Sequence, residues 1–227
     1  MSNITNLAKY IDYTNLKNSI SFAELEVFCN EAIEYGFFGV CVQPYFVPLV
    51  LPLLKNTNIR VVSVVDFPYG TSLLKSKISS VEELAKTSLD EIDLVMNIPA
   101  FINKEFKVVE QEISEALEIC RANNLWLKVI IETGLLQAEE IATATQILCE
   151  IGVDFIKTST GVVSRGATFE DIKIIKENLS GHTKIKASGG IRNLEQVVKF
   201  IEIGVSRIGT SAGVQIMKEF EQQFKNE

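Results

Sequence analysis

Three lysines and one aspartate recur at alternate positions of short apolar segments. Asp93 lies in EIDLVMN, Lys128 in LKVIIE, Lys157 in DFIKTST and Lys186 in KIKASG. Successive side chains of a β-strand point to opposite faces, so apolar neighbours on one face place these charged groups on the other. An unpaired buried ammonium is costly, and lysines in such positions need either carboxylate partners or a chemical function.

A desolvated lysine beside a second cation is suited to nucleophilic catalysis, because desolvation and the second cation both favour the neutral amine. A neutral amine forms a Schiff base with a carbonyl carbon, and a nearby carboxylate that holds water can move protons to and from carbon. The alternative is an ion-pair network without chemistry, which would need more carboxylates than Asp93 and Glu132 readily supply. The pattern therefore favours covalent catalysis on a carbonyl substrate.

Two glycine-rich segments follow the last two apolar runs. They are residues 188–192, with the sequence SGGIR, and residues 209–213, with the sequence GTSAG. In α/β barrels, the loops after strands seven and eight often bind phosphate together with a helix N-terminus. Glycine lets backbone N–H groups approach the phosphate, and hydroxyl groups add donors. The segments predict a phosphate site and hence a phosphorylated substrate.

The elements that would position these residues form a regular alternation of Val- and Ile-rich runs with amphipathic segments. Such a pattern is typical of parallel strands joined by helices. We predict an α/β fold of the (β/α)8 TIM-barrel type, with one domain over residues 1–227. An open doubly wound sheet is the alternative, although no GxGxxG motif follows an early strand. The predicted strands cover residues 10–14, 38–43, 60–67, 91–98, 125–132, 154–160, 183–189 and 206–213.

Helix ends are marked by capping residues. Ser21 and Glu24 form a capping-box pattern, and Gly36 is placed to end the same helix. Gly152 and Gly204 are placed to end two later helices.

The composition narrows the class of protein. With 29 acidic and 22 basic residues, the chain has a net charge of −7, which disfavours general nucleic-acid binding. We expect neither a membrane span nor a secretory leader, because no apolar run is long enough, and so we expect a cytoplasmic protein. The four cysteines lack metal-ligand spacing and are interpreted as reduced, buried thiols.

The residue inventory also disfavours metal and histidine chemistry. His182 is the only histidine and precedes the seventh predicted strand, which puts it at the end of the barrel away from the chemistry. No compact carboxylate motif for a divalent cation is present in the sequence. We therefore expect no metal and no cofactor.

Several motifs together resemble the deoxyribose-phosphate aldolase family. They are IDYTNLK, VCVQPYFVPL, EIDLVMNI, LKVIIETGLL, DFIKTSTG, GATFEDI, KASGGIR and RIGTSAG, in this order from Ile11 to Gly213. The resemblance implies a class I aldolase with a barrel fold and no metal. It would reversibly cleave 2-deoxy-D-ribose 5-phosphate to acetaldehyde and D-glyceraldehyde 3-phosphate. It also implies a homo-oligomer, a dimer or larger.

The resemblance assigns roles to individual residues. Lys157 would form the Schiff base, and the charge of Lys186 would help to keep that lysine neutral. Asp93 would belong to the proton relay, and Lys128 would position or polarise the substrate. The implied phosphate-binding positions are Gly161, Gly189, Gly190, Gly209 and Ser211.

Some positions depart from the usual family pattern, and two other functions remain open. The departures are Tyr13, Asp66, Pro99, Arg165 and Ala212. Ala212 removes one hydroxyl donor from the phosphate segment, which would weaken binding by about 1 kcal/mol. The alternatives are a Schiff-base aldolase for another phosphorylated sugar and a binding protein without activity on an aldolase scaffold. The product aldehyde distinguishes the first alternative from the deoxyribose-phosphate reaction, which releases acetaldehyde. The retained buried charges argue against the second alternative.

Overall fold

The computed structural model describes residues 5–224 and contains a closed barrel of parallel strands. Neighbouring strands follow chain order, and β1 pairs with β8 to close the barrel. The TIM-barrel prediction is therefore confirmed, and the open-sheet alternative is wrong. The strands are β1 (Ile11–Asn15), β2 (Gly39–Val42), β3 (Arg60–Val65), β4 (Glu91–Val95), β5 (Trp126–Ile130), β6 (Phe155–Lys157), β7 (Lys184–Ser188) and β8 (Arg207–Thr210).

Helices follow the strands on the outside of the barrel. Pro99 lies in the first turn of a short helix after β4, where its missing N–H is not needed. The α-helices are α1 (Phe22–Tyr35), α2 (Val47–Leu54), α3 (Leu74–Ala85), α4 (Ile98–Ile102), α5 (Phe106–Ala122), α6 (Ala138–Ile151), α7 (Phe169–Asn178), α8 (Leu194–Glu202) and α9 (Gly213–Phe224).

Local sequence signals explain the element ends. Ser21 and Glu24 form the predicted capping box at the start of α1, and Gly36 ends that helix in the left-handed conformation. Gly152 ends α6 in the same way. Gly204, in contrast, lies beyond the C-terminal cap of α8, which is Ile203. Apart from the first, the predicted strands extend too far at their C-terminal ends, because the polar residues there enter the loops of one barrel face.

The apolar residues form two clusters. The larger cluster joins the outward faces of the strands to the helices and includes Ile92, Val129 and Ile156. The smaller cluster lies on β2 and β3 inside the barrel; strand register places Val64 beside inward-facing Asp93. We call it the apolar interior cluster: Cys41, Val62 and Val64, with Leu16 and Phe67 packed against it. The rest of the interior is shared between charged side chains and apolar ones such as Ile130, which lies on the same face of β5 as Lys128.

Three further expectations concern single features of the chain. All four cysteines are free thiols, and Cys149 alone among them is only partly buried. His182 is exposed in the turn before β7, as predicted. No helix within residues 5–224 is long and apolar enough to cross a membrane.

Candidate active site

The barrel places the four predicted charged residues together in its interior. Asp93 pairs in register with Lys128, and Lys157 pairs with Lys186. Asp93, Lys128 and Lys186 are fully buried, and Lys157 is 3% exposed. The inward assignments made from strand alternation for these four residues are confirmed.

Asp93 is the centre of this arrangement and contacts all three lysines. Its Oδ1 lies 2.7 Å from Lys128 Nζ. Its Oδ2 lies 2.8 Å from both Lys157 Nζ and Lys186 Nζ. Burial opposes ionisation of this carboxyl group, but the lysines outweigh burial and hold the pKa of Asp93 well below its usual range.

The network continues through residues that the sequence argument did not identify. Lys186 Nζ lies 2.5 Å from Asp12, and Arg207 contacts the other oxygen of Asp12 at 2.8 Å. Arg207 also lies 3.3 Å from Glu91, and Lys128 lies 2.6 Å from the same Glu91 oxygen. These contacts close a ring of alternating charges. We call the ring together with Lys157 the interior ionic network: Asp12, Glu91, Asp93, Lys128, Lys157, Lys186 and Arg207.

The expectation that too few carboxylates would be available is therefore wrong. Glu91 could have been found, because it is two residues before Asp93 and shares its face of β4. Asp12 lies on the short first strand, whose pattern is weak. Glu132, which was expected inside the barrel, lies beyond the end of β5 with a φ of 50°. Its carboxylate accepts hydrogen bonds from the Thr160 N–H and the Ser164 hydroxyl instead.

Lys157 differs from the other cations of the network in charge balance and access. Lys128 and Lys186 each contact two carboxylates, whereas Lys157 contacts only Asp93 within the described residues. With every group ionised, the network has one more cation than it has carboxylates. Because Lys157 is the cation outside the ring, its proton is the one whose loss leaves the ring intact.

Lys186 remains a cation at neutral pH. Burial disfavours its charged form, but Asp12 and Asp93 outweigh burial and raise the pKa of Lys186 above its ordinary value. Asp12 shows the complementary effect: burial would raise its pKa, but Lys186 and Arg207 lower it below the ordinary value. Asp12 and Lys186 therefore keep their opposite charges at neutral pH.

A cavity of about 550 Å³ opens above the network at the C-terminal end of the strands. Its volume is within the usual range of small-molecule sites, about 300–1,000 Å³. Of the four predicted catalytic residues, Lys157 alone is among the described residues that line it. All five predicted phosphate positions also line it: Gly161, Gly189, Gly190, Gly209 and Ser211.

Several glycines of the cavity lie where a side chain would be strained or would crowd a neighbour. Gly161 and Gly189 have φ angles of 78° and 86°, and a Cβ on Gly161 would approach the Cα of Gly189 to 3.1 Å. The N–H groups of Gly161, Gly189 and Gly190 have no hydrogen-bond acceptor among residues 5–224 and are available to an anion. Gly209 also makes room for a neighbour, since a Cβ there would lie 3.1 Å from Lys186 Cε.

Two cations at the cavity were missed by the sequence argument. Lys17, from the loop after β1, and Arg192, from the loop after β7, line the cavity and are exposed. Neither forms an ion pair with another residue of the described chain. Both lie within motifs noted in the sequence, IDYTNLK and KASGGIR, but the sequence does not show which of their side chains reach the cavity.

Three departures from the family pattern have structural partners. The Tyr13 hydroxyl donates a hydrogen bond to Glu31 at 2.8 Å. Arg165 contacts both oxygens of Asp171, at 2.5 and 2.9 Å, and thereby holds the loop after β6 against α7. The N–H of Ala212 donates to the Thr210 hydroxyl at 3.0 Å. Asp66 belongs to a second buried cluster, described below.

Within residues 5–224, no group of three or more His, Cys, Asp or Glu side chains has the arrangement needed to hold a metal ion. Three carboxylates whose oxygens could in principle bind a divalent cation, Asp66, Asp93 and Glu132, lie in three separate environments and contact lysines or loop donors.

Comparison with known proteins gives a consistent result over nearly the whole chain. Residues 6–219 match the DeoC/LacD family aldolase model. A deoxyribose-phosphate aldolase from Mycoplasmoides gallisepticum is 43% identical over 216 residues, covering 95% of this chain and 96% of the relative. A deoxyribose-phosphate aldolase from Dictyoglomus turgidum is 43% identical over 211 residues, covering 93% and 95% of the two chains.

Solved structures agree. The aldolase QR15 superposes with a TM-score of 0.92 at 38% identity, covering 98% of this chain and 99% of that one. The tetrameric deoxyribose phosphate aldolase from Aeropyrum pernix gives a TM-score of 0.86 at 26% identity, covering 96% and 92%. With the buried lysines and the cavity in place, these matches show that the chain belongs to the DeoC/LacD family of aldolases, and thus to the lyases.

Proposed function

We propose that the chain reversibly cleaves 2-deoxy-D-ribose 5-phosphate to acetaldehyde and D-glyceraldehyde 3-phosphate through a Schiff base on Lys157. The observation that carries this proposal is the position of Lys157. Among the lysines of the interior ionic network, it is the one that lines the cavity, and it is the cation in excess of the closed ring beneath it. The names of the close relatives support the choice of substrate.

The proposed reaction begins with addition of the Lys157 nitrogen to C1 of the open-chain aldehyde. Loss of water gives an iminium ion. The bond between C2 and C3 then breaks, and its electron pair moves into the iminium to form an enamine. The O3 proton leaves, and C3 becomes the aldehyde carbon of glyceraldehyde 3-phosphate. Protonation at C2 and hydrolysis release acetaldehyde and the free lysine.

The rest of the network would support these steps from below the cavity. A fixed Lys186 cation beside Lys157 favours the neutral amine before attack. Asp93 stabilises the iminium that follows and, through water in the cavity, accepts and returns protons. Lys128 holds Asp93 in place and contributes positive charge near the substrate oxygens. We assign Asp93, Lys128 and Lys186 these roles because they contact Lys157 directly or through Asp93.

The phosphate would bind at the opposite side of the cavity. The free N–H groups of Gly161, Gly189 and Gly190 and the Ser211 hydroxyl supply donors. Lys17 and Arg192 add positive charge at the edge. This local charge accounts for binding of an anion by a protein with a net charge of −7. The tetrameric state of the Aeropyrum relative supports the expectation of a homo-oligomer.

The direct test is reductive trapping. The protein is incubated with acetaldehyde or deoxyribose 5-phosphate and borohydride, and the modified peptide is identified by mass spectrometry. We expect the adduct on Lys157 and release of acetaldehyde from the sugar phosphate without reductant. An adduct on Lys128 or Lys186 would overturn the assignment. Cleavage of another phosphorylated sugar without release of acetaldehyde would overturn the substrate.

A further inference from the structure

A second buried lysine cluster lies outside the barrel and plays no part in the reaction proposed above. Lys77, on α3, is 1% exposed. Its ammonium lies 2.7 Å from Glu112 and 3.0 Å from Asp66, and it donates hydrogen bonds to the backbone oxygens of Val95 at 2.9 Å and Gly70 at 3.2 Å. An ammonium has three donors, so every donor of Lys77 has a partner.

The partners of Lys77 come from three different segments. Asp66 and Gly70 belong to the loop between β3 and α3, Val95 ends β4, and Glu112 lies on α5. Glu112 also accepts a hydrogen bond from the N–H of Asn97, two residues beyond Val95. The cluster therefore fastens the β3–α3 loop to the end of the strand that contains Asp93.

The β3–α3 loop has little apolar packing of its own to fix it. Tyr69 and Leu73 are 64% and 82% exposed. Asp66 instead holds the loop through polar contacts, since its carboxylate accepts hydrogen bonds from the Ser72 N–H at 3.0 Å and the Ser72 hydroxyl at 2.7 Å. The loop is also in close contact with β4, because a Cβ on Gly70 would overlap the backbone oxygen of Met96.

The residue that this loop delivers to the cavity is Phe67. It follows Asp66 directly, lines the cavity together with Lys157, and packs against Cys41, Val62 and Val64 of the apolar interior cluster. Asp66 itself has a φ of 54°, so the chain turns sharply at the point where Lys77 holds it. A small movement of Asp66 would change the position of the Phe67 ring.

We propose that Lys77, acting with Asp66 and Glu112, is a positioning residue that holds Phe67 at the wall of the active-site cavity. The inference rests on the proposed aldolase function for its kinetic part. A buried ion pair is often no more stable than apolar residues of the same volume, so stability is a weak reason for it. The Lys77 cluster joins a loop that lines the cavity to the strand that bears Asp93. This connection to the active site is the stronger reason for burying the lysine.

A first test compares two lysines of the same helix. Lys77→Met removes the buried ammonium, and Lys75→Met is the matched control, because Lys75 is exposed two residues away. We expect Lys77→Met to raise KM for the sugar phosphate about tenfold or more, with Lys75→Met unchanged. Equal kinetic constants in folded Lys77→Met and wild type would overturn the proposal.

A second pair of variants keeps the proposal testable if Lys77→Met does not fold. Asp66→Gly removes the carboxylate at a φ that suits glycine, and Phe67→Ala removes the positioned ring. If Asp66 acts through Phe67, the double variant should have the same kcat/KM as Phe67→Ala alone. Effects that multiply in the double variant would show a general structural role and would overturn the proposal.

Hydrogen exchange separates this proposal from the proposed function. The backbone N–H groups of Phe67 and of residues 69–73 are followed in wild type, Asp66→Gly and Lys75→Met. Faster exchange in Asp66→Gly alone is expected. If wild type does not cleave deoxyribose 5-phosphate, the proposed function fails, while this exchange pattern still supports the positioning of the loop. Unchanged exchange in Asp66→Gly overturns the positioning proposal, whatever the enzyme cleaves.

Discussion

Within residues 5–224, the chain buries lysines in two places, and the two places differ in charge balance and in access. The interior ionic network has four cations for three carboxylates and lies under a cavity. The Lys77 cluster has one cation for two carboxylates, together with two backbone oxygens. Within the described residues, no group of the Lys77 cluster lines the cavity that Lys157 reaches.

In the proposed mechanism, this difference makes Lys157 the reactive lysine. Lys77 is surrounded by acceptors from three segments, which fits its proposed role in joining them. Lys157 contacts one carboxylate oxygen, which it shares with Lys186. An excess of positive charge makes loss of a proton favourable, and access to the cavity lets the free amine meet a substrate. Burial alone therefore does not identify a catalytic lysine.

The largest effect that the comparison predicts is on Lys157. Lys157→Ala should lower cleavage by at least about three orders of magnitude, because the covalent intermediate cannot form. Lys157→Arg should be equally inactive, since a guanidinium keeps its proton and is not a nucleophile here. The assay is the release of acetaldehyde at saturating substrate. Activity above a hundredth of wild type in either variant would contradict the distinction between the two lysine clusters.

The next effect concerns Lys186, whose cation should promote loss of the proton from its neighbour. In Lys186→Leu, Asp93 would hold the remaining ammonium of Lys157 more firmly, and activity at pH 7 should fall about a hundredfold. The rising limb of the pH–rate profile should move to higher pH, with partial recovery there. Lys77→Met, in contrast, should keep the wild-type profile shape.

The same pH–rate profiles would also reveal the alternative, in which Lys186 does not tune Lys157 through its charge. A Lys186→Leu profile that keeps its shape and only scales down would make Lys186 a binding or proton-transfer group. The charge of wild-type Lys186 is not expected to change in this range: its pKa is raised, so it stays protonated below its ordinary value near 10.5 and loses its ion pairs only above that pH.

A third prediction separates stability from chemistry within the interior network. Glu91→Gln places an amide where Lys128 and Arg207 now meet one carboxylate oxygen. Breaking a buried pair of this kind should cost about 3 kcal/mol of unfolding free energy, measured by urea denaturation. Glu83→Gln is the control, because the Glu83–Lys86 pair is exposed and should contribute nothing measurable. A similar small change in both variants would mean that the ring does not stabilise the barrel.

The sequence was sufficient to predict the fold and the placement of the four charged residues in the barrel interior. Strand alternation placed Asp93, Lys128, Lys157 and Lys186 in the interior, because apolar residues alternate with them on well-marked strands. The roles of these residues remain predictions. The partners Asp12 and Arg207 were missed because they come from the two strands that close the barrel, and only closure brings them beside Lys186 and Glu91.

The Lys77 cluster could not be predicted for a different reason. Its residues lie on a helix, a loop and a second helix, so no strand alternation marks them. The φ of 54° at Asp66 and the packing of α3 on α5 appear only in the folded chain. Glu132 shows the same limit: once the backbone left the extended conformation, the alternation that placed it inside no longer applied.

The smallest effect is expected at the edge of the cavity, where the excess of positive charge continues in exposed side chains. Arg192→Met removes a cation that lines the cavity and has no ion pair among the described residues. KM for the sugar phosphate should rise about tenfold at low salt, which corresponds to about 1.4 kcal/mol of lost binding. The rise should shrink at high ionic strength, because exposed charges are screened. KM for unphosphorylated 2-deoxyribose should not change, and Lys199→Met, on the exposed face of α8, should behave as wild type. An equal rise of KM for both sugars would show that Arg192 shapes the cavity rather than attracts the phosphate. In that case the excess of positive charge that matters for function would not extend beyond Lys157 to the edge of the cavity.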